Sequence, residues 1–76
     1  MRTKTMSRLL KDYDLSSDMQ YFEMIVESVI NGQRTQAREL FNEMPRADRR
    51  AFVVSITGNW QTGLSQQDKE MFINLL

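Results

Sequence analysis

Residues 19–44, MQYFEMIVESVINGQRTQARELFNEM, decide the fold of this chain. Two groups of apolar residues at helical spacing flank a break at Asn31-Gly32. They are Phe22, Ile25, Val26, Val29 and Ile30 before the break, and Ala37, Leu40, Phe41 and Met44 after it. The pattern predicts an antiparallel helix hairpin, with helices over residues 18–30 and 34–44. Gly32 suits the left-handed residue that follows many helices.

Further helices are predicted on both sides of this hairpin. Residues 6–13 can form a short helix, and Ser16 or Ser17 can cap the helix that begins at Asp18. Pro45 favours a helix start at Arg46. Ser65, three residues before Asp68, resembles a capping box and predicts a last helix.

The end of the fourth helix is less clear from the pattern. Phe52, Val53, Ile56 and Trp60 recur at spacings of three and four, which favours a helix that passes through Gly58 and ends near Gly63. The alternative is a helix that stops at Thr57 and leaves residues 58–60 as a loop. Either way, the sequence predicts an all-α fold: a compact bundle of four to five short helices arranged as two antiparallel hairpins. Residues 7–76 form this single domain, after a flexible basic tail over residues 1–6.

Composition disfavours most enzyme classes. The 76-residue chain contains neither cysteine nor histidine, which removes the thiolate and imidazole groups used in much catalysis and metal binding. We therefore expect no enzymatic activity, no cofactor and no metal. Ten basic and ten acidic residues give zero net charge, which disfavours general binding to polyanions. The basic segment MRTKTMSRLL lacks the apolar run of a secretory signal, and no membrane span is expected, so the expected location is cytoplasmic.

The densest basic cluster is the strongest candidate for a binding site. Arg46, Arg49 and Arg50 lie at the start of the predicted fourth helix and can meet an acidic partner surface, or can simply face solvent. Trp60, the only tryptophan, is either a core residue or an interface anchor. The leading hypothesis is a non-enzymatic protein-interaction module that binds another protein through these four residues. The apolar Leu75-Leu76 stretch predicts either a last helix that folds into the centre of the protein or one that is shared across a homodimer.

The alternative hypothesis is a small DNA- or RNA-binding helical module. Arg34, Gln36 and Arg38 open a helix after a glycine turn, as a DNA recognition helix does. A competing structural role pairs Arg34 with Glu27 and Arg38 with Glu23 across the hairpin, as exposed ion pairs.

Two resemblances to known families add to this interpretation. NGQRTQARELFNEMP and FVVSITGNWQTGLSQQDKEMF, offset by 31 residues, resemble two units of the pentatricopeptide repeat, which implies tandem helix hairpins. Members of that family bind single-stranded RNA, but the base-reading position here falls on the apolar residues Phe22 and Val53. The segment NGQRTQARELFNEMPRADRRAF is similar to small helical accessory proteins of bacteriophages and mobile elements, which implies a host protein as the partner.

Overall fold

The computed structural model describes residues 4–76, and this part of the chain is all-α, with no strand. Its five helices are α1 (Met6–Asp12), α2 (Asp18–Ile30), α3 (Arg34–Glu43), α4 (Arg46–Thr57) and α5 (Gln66–Leu75). Helices α2 and α3 form one hairpin and α4 and α5 form a second, and the two pack into a compact bundle. The predicted fold class is confirmed. No helix in this part of the chain is long and apolar enough to span a membrane.

Side-chain caps fix the starts of three helices. The hydroxyl oxygens of Thr5, Ser17 and Ser65 each accept a hydrogen bond from the backbone N–H three residues later, at 3.2, 3.3 and 3.2 Å. Each cap satisfies one of the N–H groups that a helix start leaves without a partner. The predicted cap at Ser65 is therefore confirmed, and Ser17 rather than Ser16 caps α2.

The turn between α2 and α3 closes as the Asn31-Gly32 pair predicts. Gly32 has φ +81°, a left-handed conformation in which a β-carbon is strained. Its N–H donates to the Val29 carbonyl at 3.0 Å, and the N–H of Gln33 donates to the Ser28 carbonyl at 2.7 Å. These are the two bonds of a Schellman motif. They end α2 and send the chain directly into α3.

The core is built around aromatic rings that join the two hairpins. Phe52 of α4 is fully buried, and its ring contacts four other aromatic rings: Phe22, Phe41, Phe72 and Trp60, at centroid distances of 5.3, 5.8, 5.1 and 6.5 Å. Phe41 also contacts Phe72 at 5.1 Å, which packs α3 against α5. These rings hold the hairpins together through edge-on and tilted contacts, the geometries that aromatic pairs prefer.

A buried tyrosine ties α2 to the end of α3. The Tyr21 hydroxyl donates a hydrogen bond of 2.6 Å to the backbone carbonyl of Leu40. In a longer α-helix that carbonyl would accept from the N–H of Met44, which instead bonds to the Phe41 carbonyl at 3.2 Å. The Tyr21 hydroxyl thus provides the hydrogen-bond donor that the Leu40 carbonyl lacks at the end of α3. Burial raises the pKa of the Tyr21 phenol well above its usual value of 10.0, so the hydroxyl remains a donor in alkaline solution as well.

The prediction that the fourth helix continues through Gly58 is wrong. Helix α4 ends at Thr57, and a β-carbon at Gly58 would lie 2.8 Å from the backbone carbonyl oxygen of Val54. The chain leaves the helix at this glycine, and the N–H of Trp60 returns to the Ser55 carbonyl at 3.3 Å. Trp60 reaches Phe52 from the connecting loop. The spacing of four residues between Ile56 and Trp60 therefore does not indicate a helix that includes Trp60.

The predicted ion pairs across the α2–α3 hairpin are also wrong. The ion pairs within residues 4–76 are Lys4–Asp12, Arg8–Asp12 and Arg34–Asp68. Arg34 therefore bonds to α5 rather than to Glu27, because the packing of α3 on α5 brings their first turns together. Arg38 and Glu23 are both exposed.

Part of the predicted flexible tail lies in the described structure. Residues 1–3 lie outside the described residues, whereas Thr5 caps α1 and the N–H of Lys4 donates to the Glu43 carbonyl at 3.1 Å. The Lys4 ammonium donates to the Asp12 carboxylate at 3.1 Å. This bond, with the charges of Lys4 and Arg8, holds the pKa of Asp12 below its usual value.

Candidate functional site: the exposed face of α4

One face of α4 is exposed along its whole length and carries no acidic residue. Its members share a side opposite the buried residues Phe52, Val53 and Ile56. They are Arg46, Ala47, Arg50, Ala51, Val54 and Thr57. We call this set the α4 face. It combines two positive charges with small and apolar side chains.

Val54 is the most exposed large apolar residue of the α4 face. Its side chain is 69% exposed, more than that of any other large hydrophobic residue within residues 4–76. Arg50 lies one turn before it and contributes a guanidinium to the same side of the helix. Ala47 and Ala51 continue the apolar line and allow another backbone to approach closely. The α4 face therefore has the elements of a contact surface: an apolar centre with basic residues at its edge.

The three arginines predicted as one site differ in their surroundings. Arg46 and Arg50 are exposed and one turn apart, whereas Arg49 is half-buried at the edge of the face. The Nε atom of Arg49 is enclosed and has no hydrogen-bond partner in the structure. Asp48 lies half-buried on the other edge, where burial and, to a smaller extent, the charge of Asp18 raise its pKa. Two of the three arginines, Arg46 and Arg50, are thus exposed on the α4 face.

Trp60 does not join the arginines. Arg46 begins α4, whereas Trp60 follows the last turn and packs its ring against Phe52 on the buried side. The indole is partly exposed and lines a cleft beside α2. Trp60 is therefore both a support for the core and a surface residue, but it belongs to a different surface from the α4 face.

Two residues of the nucleic-acid alternative, Arg34 and Gln36, line a separate groove, whereas Arg38 does not. Arg34, Gln36 and Arg38 are exposed in the first turns of α3, but the Arg34 guanidinium is bonded to Asp68. The groove beside them has a volume of about 630 Å³, and its lining includes Arg34, Gln36, Tyr13, Glu39 and Glu43. The two glutamates repel phosphate. This groove therefore gives less support to nucleic-acid binding than the sequence pattern does.

Tyr13 is held against the acidic end of that groove. Its hydroxyl donates to the Glu43 carboxylate at 3.1 Å. Burial, followed by this hydrogen bond and the charge of Glu43, raises the pKa of the Tyr13 phenol. The hydrogen bond between Tyr13 and Glu43 holds the end of α1 beside α3.

The chain matches no protein-family model, no curated protein and no solved structure. The resemblances to pentatricopeptide repeats and to phage accessory proteins therefore remain predictions from the sequence.

The arginines of the α4 face are among the residues predicted from the sequence, whereas its apolar centre is not. Ala47, Ala51 and Val54 follow at spacings of four and three, on the side away from Phe52 and Ile56. This second apolar line could have been found from the helical periodicity. The pattern is ambiguous because Val53 and Val54 are adjacent. Val53 is buried in the core, whereas Val54 is exposed.

Proposed function

We propose that this protein is a non-enzymatic interaction module that binds another protein through the α4 face. The observation that carries the proposal is the exposed side chain of Val54 beside Arg50, on a helix face without an acidic residue. The surface that this face fits is an acidic helix or strand with apolar residues at its centre.

The contact supplies energy from two sources. Full burial of a valine side chain contributes about 1.5–3 kcal/mol, so covering the exposed part of Val54 contributes roughly 1–2 kcal/mol. Arg46 and Arg50 can each form paired hydrogen bonds with a carboxylate, which fixes the orientation of the partner. Charge complementarity of this kind raises the association rate and selects among partners.

The proposal extends to the origin and the target of the protein. The similarity to small phage and mobile-element proteins supports a host protein as the partner, whose activity is modulated by binding. We place this interaction in the cytoplasm, as the sequence predicts. Homodimerisation is a further part of the proposal, supported by Ile73 and Leu76, which are 42% and 44% exposed near the end of α5.

The test is a pull-down from bacterial lysate with nuclease treatment, comparing matched variants. We expect a discrete protein to be captured by the wild type and lost with the double variant Arg46→Glu/Arg50→Glu. Val54→Asp should have the same effect. Circular dichroism should show that the fold of each variant is unchanged.

Two controls make single substitutions of the same kind elsewhere on the surface. Arg38→Glu reverses an exposed arginine on α3, and Ile30→Asp places a charge at a residue that is 60% exposed. Both controls should retain the captured protein. Capture that survives all changes in the α4 face would reject it as the site, and capture that disappears with nuclease would favour the nucleic-acid alternative.

A further inference from the structure

A second surface of opposite charge lies along α2. Two clefts, with volumes of about 330 and 470 Å³, share Glu23 and Glu27 in their linings. The first cleft is completed by Val26, Trp60, Gln61 and Thr62, and the second by Asp14, Leu15, Gln20 and Met24. We call these two clefts together the α2 groove. Its lining contains three carboxylates and neither a lysine nor an arginine.

The groove carries two glutamates along its middle and has both apolar and polar side chains on its walls. Glu23 and Glu27 lie one helical turn apart, so their β-carbons are about 6 Å from each other. Both side chains are exposed, and neither belongs to an ion pair within residues 4–76. Trp60 and Val26 line one side of these carboxylates, and Leu15 and Met24 line the other.

An indole next to free carboxylates is a combination that attracts organic cations. Trp is the aromatic side chain that binds a guanidinium or ammonium most strongly through the face of its ring. The carboxylates of Glu23 and Glu27 can accept hydrogen bonds from the same cation. The methylene groups of a lysine or arginine would meanwhile cover Val26 and the edge of the indole.

We infer that the α2 groove binds a basic peptide segment of another protein, with one lysine or arginine in the cleft between Trp60 and Glu27. Charge complementarity selects this occupant, because three carboxylates repel nucleic acids, anionic lipids and acidic peptides alike. The site goes beyond the proposed function, since it uses another helix and a partner of opposite charge. The protein thereby offers two distinct docking surfaces, a basic one on α4 and an acidic one on α2.

Trp60 provides the readout, because it is the only tryptophan in the chain. The probe is a nonapeptide of alternating arginine and alanine, titrated into the full-length protein while tryptophan emission is recorded. We expect a saturable change in emission with this peptide. A peptide of the same length with glutamate in place of arginine should produce none.

Variants then locate the binding site. The double variant Glu23→Gln/Glu27→Gln should lower the affinity for the arginine peptide by about tenfold or more. Glu39→Gln/Glu70→Gln makes the same change in net charge at two exposed residues outside the groove and should leave the affinity within about twofold.

The contribution of the indole is measured separately with Trp60→Phe. This variant keeps a ring against Phe52 but weakens the cation contact, so the affinity for a fluorescein-labelled arginine peptide, followed by anisotropy, should fall severalfold. Equal affinity in the variant and the wild type would show that the indole takes no part in binding and would overturn the proposed role of the ring.

Three other outcomes would overturn the inference. They are the absence of saturable binding, an equal loss of affinity in the Glu39→Gln/Glu70→Gln control, and sedimentation data in which self-association alone causes the emission change. The last result would identify a second copy of the chain as the occupant. None of them affects the proposal for the α4 face, because Arg46, Arg50 and Val54 do not line the groove.

Discussion

Replacement of Phe52 by leucine should lower the free energy of unfolding more than the same replacement of Phe22, which lies at the edge of the core. Phe52 is fully buried and contacts four aromatic rings, whereas Phe22 contacts Phe52 alone among the aromatic pairs of residues 4–76. Leucine retains most of the apolar volume at either position. A comparison of Phe52→Leu with Phe22→Leu therefore isolates the aromatic contacts.

The magnitude follows from the number of pairs that each change removes. An aromatic pair contributes about 0.5 kcal/mol or more beyond the burial of its area, so Phe52→Leu loses roughly 2 kcal/mol and Phe22→Leu roughly 0.5 kcal/mol. The difference of about 1.5 kcal/mol is large for a domain of this size, whose total free energy of unfolding is on the order of 4–11 kcal/mol. It corresponds to a difference in melting temperature of roughly 6–12 °C.

Urea unfolding, followed by circular dichroism at 222 nm, measures both free energies. Emission from Trp60 provides a second probe in both variants, and coincident curves would confirm a two-state transition. A Phe52→Leu protein as stable as the Phe22→Leu protein would refute the argument. The core would then be held by buried area alone, without a specific contribution from the rings.

Three other perturbations have defined outcomes. The coupling between Arg34 and Asp68, measured by a double-mutant cycle in thermal unfolding, should be about 0.5 kcal/mol and should decline in 1 M salt, since the pair is partly exposed; a zero coupling would contradict the bond. Gly58→Ala should lower the melting temperature, because the new β-carbon would meet a helix carbonyl at 2.8 Å, and an unchanged value would show that the turn relaxes freely. The pKa of Asp12 is lower in the folded protein, so the stabilisation by its bond to Lys4 should be complete above the usual carboxyl pKa of 3.8 and should be lost as the pH falls through the folded value. An Asp12→Asn variant should abolish this part of the acid dependence.

The local parts of the fold were predictable because their signals lie within a few residues. The Asn31-Gly32 turn and the cap at Ser65 each depend on neighbouring backbone groups, and both are found where the sequence places them. The end of α4 was not predictable from periodicity, since Trp60 occupies a helical spacing by way of a loop. Two properties of Gly58 end the helix despite this spacing: glycine has a low helix propensity, and its backbone lies close to the Val54 carbonyl, where a β-carbon would not fit.

The candidate sites depend on tertiary packing to a greater degree. The sequence indicates that Arg46 and Arg50 share a face, since they are one turn apart, and the structure agrees. It could not indicate that Arg34 bonds to Asp68, because 34 residues separate the two and their meeting requires α3 to pack on α5. The same is true of the α2 groove, whose Trp60 comes from the loop between α4 and α5.

The bond between Tyr21 and the Leu40 carbonyl restricts the ways in which the first hairpin can be assembled. If α2 moved along α3 by one helical turn, about 5.4 Å, the buried hydroxyl and the buried carbonyl would both lose their partner. Each unpaired group costs about 1–3 kcal/mol, so the shifted arrangement would be populated at a few per cent at most. Two amphipathic helices with apolar stripes alone would accept several alignments of similar energy. A single polar pair, placed where α3 ends, therefore gives this small protein one hairpin alignment.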